Sequence, residues 1–298
     1  MDKMKITKNL LILSLSIMIL LILAFTMSDF FLFGGEPLIG NEFLVNSESI
    51  EFLYDLTYED ELGNVIYEQQ IFNQIYTLID EAEKFVIVDM FLFGQDYGEN
   101  YRNITDELTN VLINKKGRDP DIEIYFVTDS FNLLYGKSEK DTFDKLEANG
   151  IKISFVTRDS LDKKYDFPSL FLKNFKIRLN HRKIVIADNH MGDVSFVITS
   201  ANPHNPSSPN SNVAAYIIGG PIKDILKDEN GFINGFINGF IDTEKHIYSN
   251  TTDGLGVRYL RNGGAVSLLI EKIQNTHEGD GIRIATFILS EFDVFREL

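Results

Sequence analysis

Two residues in the middle of the chain, His181 and Lys183, have the types and the spacing for chemistry at phosphorus. They open a run, Asn180 to Asp188, whose second half is rich in β-branched residues, so Lys183 to Asp188 is predicted to be a buried strand. Alternation along a strand places side chains two apart on one face, which brings the imidazole and the ammonium together. Asn189 to Asp193, with Gly192, has turn composition, and Val194 to Thr199 is predicted as a second strand ending in Ser200-Ala201-Asn202. Two adjacent strands then deliver His181, Lys183, Ser200 and Asn202 to one small volume. An imidazole can attack phosphorus or protonate a leaving oxygen, an ammonium neutralises non-bridging oxygens, and short hydroxyl and amide groups donate to them. Such a set calls for no metal and no cofactor.

The spacing His181-x-Lys183-x4-Asp188, followed by Thr199-Ser200-Ala201-Asn202, resembles the signature of the phospholipase D superfamily. The resemblance implies that His181 is a catalytic histidine, Lys183 a phosphate ligand and Asp188 a supporting acid of the motif. Ser200 and Asn202 would be polar supports around the phosphate. Thr199 stands where the family usually has glycine, a departure expected to crowd the turn. Asn180-His181-Arg182-Lys183 is further similar to the motif of cardiolipin synthase-like members.

The elements that must position these residues alternate along the chain. An amphipathic helix is expected from Glu68 to Glu83, a strand over Phe85 to Phe93, a helix over Ile104 to Ile113 and a strand over Ile122 to Val127. A helix from Lys140 to Ala148, stopped by Asn149-Gly150, leads into a strand over Ile151 to Val156. Val213 to Ile218 reads as another strand. Alternating strands and helices predict an α/β fold with a parallel or mixed sheet flanked by helices, which is also what the family resemblance implies. The residues from Glu36 to Glu61 read as an irregular segment ahead of this core, with Val45 to Leu53 approaching the sheet. Asp159 to Phe175 reads as an aromatic, charged loop, and Pro203 to Asn210, with three prolines, as an irregular rim of the site. Beyond Pro221, Phe232, Phe236 and Phe240 recur every four residues and are expected to form the core face of a helix. The other histidines, His190, His204, His246 and His277, show no metal-ligand spacing.

Leu10 to Met27 is an apolar run of membrane-spanning length, preceded by Lys3, Lys5 and Lys8. It reads as a signal anchor over residues 1–29, or a cleaved signal peptide. The lysines stay in the cytoplasm, so the body faces outward at the cell membrane, or is secreted. The chain has no cysteine, which excludes disulfides and thiolate metal sites and fits an exported protein that does without them. Residues 1–27 carry one acid and three lysines, a net of +2 within a total of −16, so the remainder carries −18. A field of that sign repels polyanions and counts against nucleic acid as a partner.

Residues 30–250 are expected to form a first phospholipase D-like domain, and residues 251–298 the beginning of a second. Ala265 to Ile273 and Ile282 to Leu289 echo the helix from Ile71 and the strand from Phe85, with Phe287 and Phe91 offset by 196. The resemblance implies two motifs in one shared site, and the second would fall near 181 + 196 = 377, beyond Leu298. Three explanations stand: a piece of a two-motif enzyme, a homodimer that pairs two copies of His181, or an inactive remnant. The expected function is a membrane-anchored phosphodiesterase or phosphatidyltransferase acting on phospholipid headgroups through a phosphohistidine. A nuclease of the same superfamily and a non-catalytic binding protein are the rival readings.

Overall fold

The computed structural model describes residues 38–94, 102–134, 137–156, 180–233, 254–261 and 264–282. Among these residues ten strands run β1 Leu38–Val45, β2 Ile50–Glu59, β3 Val65–Gln69, β4 Phe85–Met90, β5 Glu123–Asp129, β6 Lys152–Val156, β7 Lys183–Asp188, β8 Val194–Thr199, β9 Asn212–Ile218 and β10 Leu255–Arg261. Five α-helices accompany them: α1 Ile71–Glu81, α2 Ile104–Arg118, α3 Lys137–Ala148, α4 Ile222–Asn230 and α5 Gly264–Gln274.

Eight strands form one mixed sheet in the order β3-β2-β9-β8-β7-β4-β5-β6. The β4, β5 and β6 strands are parallel, as the intervening helices require. Every other neighbouring pair is antiparallel, from β4 with β7 outward to β2 with β3. All six residues of β4 and all six of β7 are buried. Their alternate side chains enter two separate cores. Val86, Val88, Met90, Val185 and Ala187 pack with Ile75 and Ile79 of α1, Leu108 and Leu112 of α2 and Leu146 of α3. Ile87, Ile184 and Ile186 pack with Ile225 and Leu226 of α4 and with Phe232. A strand covered on both faces has no polar side in its sequence, which is why these runs read as continuous apolar segments.

Local chemistry fixes the elements nearest the motif. The turn between β7 and β8 closes through Asn189, whose side chain accepts from the Met191 and Asp193 amides, with Gly192 at a φ of 82° that only glycine adopts without strain. The register that follows pairs Ile184 with Ile198 and Asp188 with Val194. Gly150, at φ 81°, ends α3 at the stop signal in the sequence.

The expected irregular segment before the core is instead ordered strand. Glu36 and Pro37 lie outside the described residues, but Leu38 onward forms β1, and β2 and β3 form a hairpin that completes one edge of the sheet. The Asp55 carboxylate of β2 accepts from the Gln70 and Ile71 amides at 2.8 and 3.1 Å, tying the hairpin to the start of α1. Glu51, Asp55 and Glu59 interrupt the apolar residues of β2 and one of its faces lies in solvent, so the run reads as irregular: Phe52 is 75% and Tyr58 44% exposed.

The chain divides into two compact units, Asn41–Tyr259 and Met1–Gly40 with Leu260–Leu298. The first holds the large sheet; the second includes α5. Among the described residues no helix is long and apolar enough to cross a membrane. The apolar run Leu10 to Met27, the aromatic loop Asp159 to Phe175, Phe236 and Phe240, and the terminal strand expected through Leu289 lie outside the described residues.

Candidate functional site

His181 and Lys183 meet where β7 begins, beside the ends of β4 and β5: Lys183 pairs with Met90, which pairs with Thr128. Lys183 Nζ lies 3.2 Å from His181 Nδ1 and 3.4 Å from Nε2, and it also donates to the His181 carbonyl at 3.2 Å. Phe91, just past β4, forms the wall of this corner. Its ring sits 4.5 Å from the imidazole, centroid to centroid, and 5.4 Å from Lys183 Nζ. An aromatic face stabilises the cation while it excludes water from it.

Phe91 is itself held by a buried amide. Asn132 Nδ2 donates to the Phe91 carbonyl at 2.6 Å and to the Thr128 hydroxyl at 2.7 Å, while its Oδ1 accepts from the Phe93 amide at 3.1 Å. Asn202, one of the predicted phosphate ligands, bonds the next residue of the same segment: its Oδ1 accepts from the Leu92 amide at 3.3 Å. Asn202 thus braces the wall against which His181 rests.

Ser200 and Asp188 face elsewhere. The Ser200 hydroxyl donates to Asn212 Oδ1 at 2.9 Å and accepts from the Val213 amide at 3.1 Å, so it serves the junction with β9. Asp188 stands at the opposite end of β7 from Lys183. Its Oδ1 accepts from the amides of Glu83, Lys84 and Phe85 at 3.3, 2.9 and 3.0 Å, and its Oδ2 from Lys84 at 3.2 Å. That carboxylate fixes the start of β4 and does not touch the corner that holds His181. The Thr199 side chain does not crowd the turn. Its hydroxyl accepts from the Ala201 amide at 2.9 Å and donates to the Val213 carbonyl at 3.2 Å.

Burial, and then the neighbouring Lys183 charge, lower the His181 pKa below its usual value. Burial also lowers Lys183 to about 8, opposed by the charge of Asp89. At neutral pH the corner therefore holds an unprotonated imidazole beside an ammonium, a nucleophile beside an anion ligand. The pH dependence of anion binding follows from the lysine. Dimethyl phosphate keeps one negative charge throughout, so its affinity should stay level near pH 7 and weaken about tenfold per pH unit once the pH exceeds about 8. An NMR titration of the ligand checks this, and affinity unchanged to pH 10 would remove Lys183 from the binding site.

The predicted set missed the residues that hold the corner in place. Asp89 accepts from Asn180 Nδ2 at 2.7 Å, Asp129 Oδ2 accepts from the Asn180 amide at 2.6 Å, and Arg182 pairs with Glu229 Oε1 at 3.2 Å. One signal was present: Asp89 is the single charge in the otherwise apolar strand Phe85–Met90, and a buried charge needs a partner.

No family model matches the chain, and no curated protein matches it in sequence. Several solved structures are similar to it. Nuc from Salmonella typhimurium, a phospholipase D family member, is 16% identical at a TM-score of 0.41, over 63% of this chain and 95% of its own. NucT from Helicobacter pylori is 13% identical at a TM-score of 0.39, over 61% of this chain and 92% of its own. Phosphatidylserine synthase from Haemophilus influenzae Rd KW20 is 14% identical at a TM-score of 0.42, over 70% of this chain and 39% of its own. A phospholipase D family member is thus among the solved structures to which this chain is similar.

Proposed function

We propose that the chain is a phospholipase D-like phosphodiesterase or phosphatidyltransferase that acts on phospholipid headgroups through His181. The observation that supports it most is the contact of Lys183 Nζ with His181 Nδ1 at 3.2 Å, which sets a cation beside a neutral imidazole. A phosphodiester placed over the pair puts its non-bridging oxygens against the ammonium and its phosphorus against a ring nitrogen.

The imidazole nitrogen attacks phosphorus, an N–P bond forms, and the P–O bond to the leaving alcohol breaks. The departing oxygen takes a proton from a second imidazole. Water or an acceptor alcohol then gives its proton back to that imidazole and attacks the phosphohistidine, and the N–P bond breaks. The second imidazole comes from a second copy of the motif, in a partner chain or in a further domain. The run Leu10 to Met27 attaches the protein to the membrane with its body outside, which brings lipid to the site.

The test is headgroup release from mixed phosphatidylglycerol, phosphatidylethanolamine and phosphatidylcholine vesicles by the full chain, with glycerol present as an acceptor. A released headgroup or a new glycerol ester is expected. Cleavage of single-stranded DNA with no action on any vesicle would replace this reading with a nuclease.

A further inference from the structure

His181 lies between Asn180 and Arg182, and both of these end on buried acids. Asn180 Nδ2 donates to Asp89 Oδ1, and the Asn180 amide donates to Asp129 Oδ2. Arg182 stacks over Phe232 at 4.6 Å and meets Glu229 Oε1 at 3.2 Å, Asp228 Oδ2 at 3.3 Å and Asp89 Oδ2 at 3.8 Å. The Tyr259 hydroxyl donates to Asp228 Oδ2 at 2.6 Å. The guanidinium is one positive charge among three carboxyl groups, of which Asp89 is 0% and Glu229 1% exposed.

Ionising both Asp89 and Glu229 at that depth would set two negative charges against a guanidinium that Asp228 also shares. Asp89 Oδ2 and Glu229 Oε2 are buried and reached by no hydrogen-bond donor among the described residues, and both carboxyl groups meet the same Arg182 Nη1, at 3.8 and 3.2 Å. A proton held by two such neighbouring carboxyl groups supplies the missing donor and removes one of the two like charges. Burial, then the Asp89 charge, raise Glu229 well above the usual carboxylate range, and burial raises Asp89 to about 6.

We propose that Asp89 and Glu229, sharing one proton, are positioning residues for the His181–Lys183 pair. The inference rests on the reading of that pair as the reacting site. Through Asn180 and Arg182 the acids hold the backbone on both sides of the imidazole. Through its remaining charge Asp89 opposes the desolvation of Lys183 and keeps it an ammonium at neutral pH. Among the described residues the charged and titratable groups facing the acid pair are Arg182 and Lys183 from β7 and its approach, Asp129 from β5, Asp228 from α4 and Tyr259 from β10.

Two variants of the full chain test this, with Lys183 followed by NMR of its side chain, a readout that needs neither ligand nor turnover. Asp89→Asn keeps an acceptor for Asn180 and removes the charge, so Lys183 should titrate lower than in the wild type, by about half a pH unit or more. Lys183 titrating at the same pH in folded Asp89→Asn overturns the proposal. Glu229→Gln replaces the shared proton with a fixed donor and should leave the Lys183 titration in place while changing the pH dependence of stability. The acid pair is held above its unfolded range, so wild-type stability falls as pH rises from about 4 to about 6. Glu229→Gln should flatten that fall, and an unchanged slope overturns the shared proton even if Asp89→Asn does not fold. A shifted Lys183 in a protein that turns over no phosphodiester would sink the proposed function and leave the positioning intact.

Discussion

His181→Ala abolishes phosphodiester turnover, by about 10⁴-fold or more, while melting within a few degrees of the wild type. The size follows from the role: losing the group that forms the covalent bond removes the pathway, and loss of other nucleophiles costs comparable factors. The fold survives because His181 is exposed and its principal partners, Phe91 and Lys183, keep their own supports in Asn132 and the strand. The measurement that isolates the step is an alkaline quench during turnover followed by intact mass. A phosphohistidine survives alkali and is lost in acid, so the wild type should show an added phosphoryl-containing mass that disappears on acidification. His181→Ala should show none. The same added mass on His181→Ala would place the nucleophile elsewhere and end the proposed mechanism.

How much of this was legible in the sequence depends on what each residue's signal encodes. The strands β4 and β7 announce themselves because burial on both faces leaves only apolar choices, and the turn at Asn189 to Asp193 because Gly192 needs a positive φ. Pairing of His181 with Lys183 follows from the two-residue period alone. The hairpin of β2 and β3 was hidden, because acids interrupt its apolar residues near the edge of the sheet and the segment resembles a solvated one. The buried acids show a different limit. Asp89 is far in the chain from Asp228 and Glu229, and they converge only through the packing of α4 on the sheet, which no local pattern encodes. Asp129 and Asn180 meet for the same reason, across a separation of 51 residues.

Asp188 is the case where the spacing already contained the answer. It lies five positions along from Lys183, and an extended chain advances about 3.3 Å per residue, so the two lie about 17 Å apart along one strand. A carboxylate at that distance cannot touch a phosphate held by the lysine. What it does is accept from three successive backbone amides, those of Glu83, Lys84 and Phe85, at the start of the central strand β4. Asp188→Ala should therefore cost stability, about 2–4 kcal/mol. The Phe85 amide contributes most, because it is buried; water can replace the carboxylate at the part-buried Glu83 and Lys84 amides. Asp188→Asn should fall between, since it keeps one acceptor oxygen and turns an amide group toward donors. Urea denaturation gives the loss directly. In the fraction that remains folded, the Lys183 titration and turnover per molecule should match the wild type. Turnover reduced by orders of magnitude in Asp188→Asn at full stability would mean that the acid acts on the reacting groups after all, and that β7 carries its charge to the site by a route longer than contact.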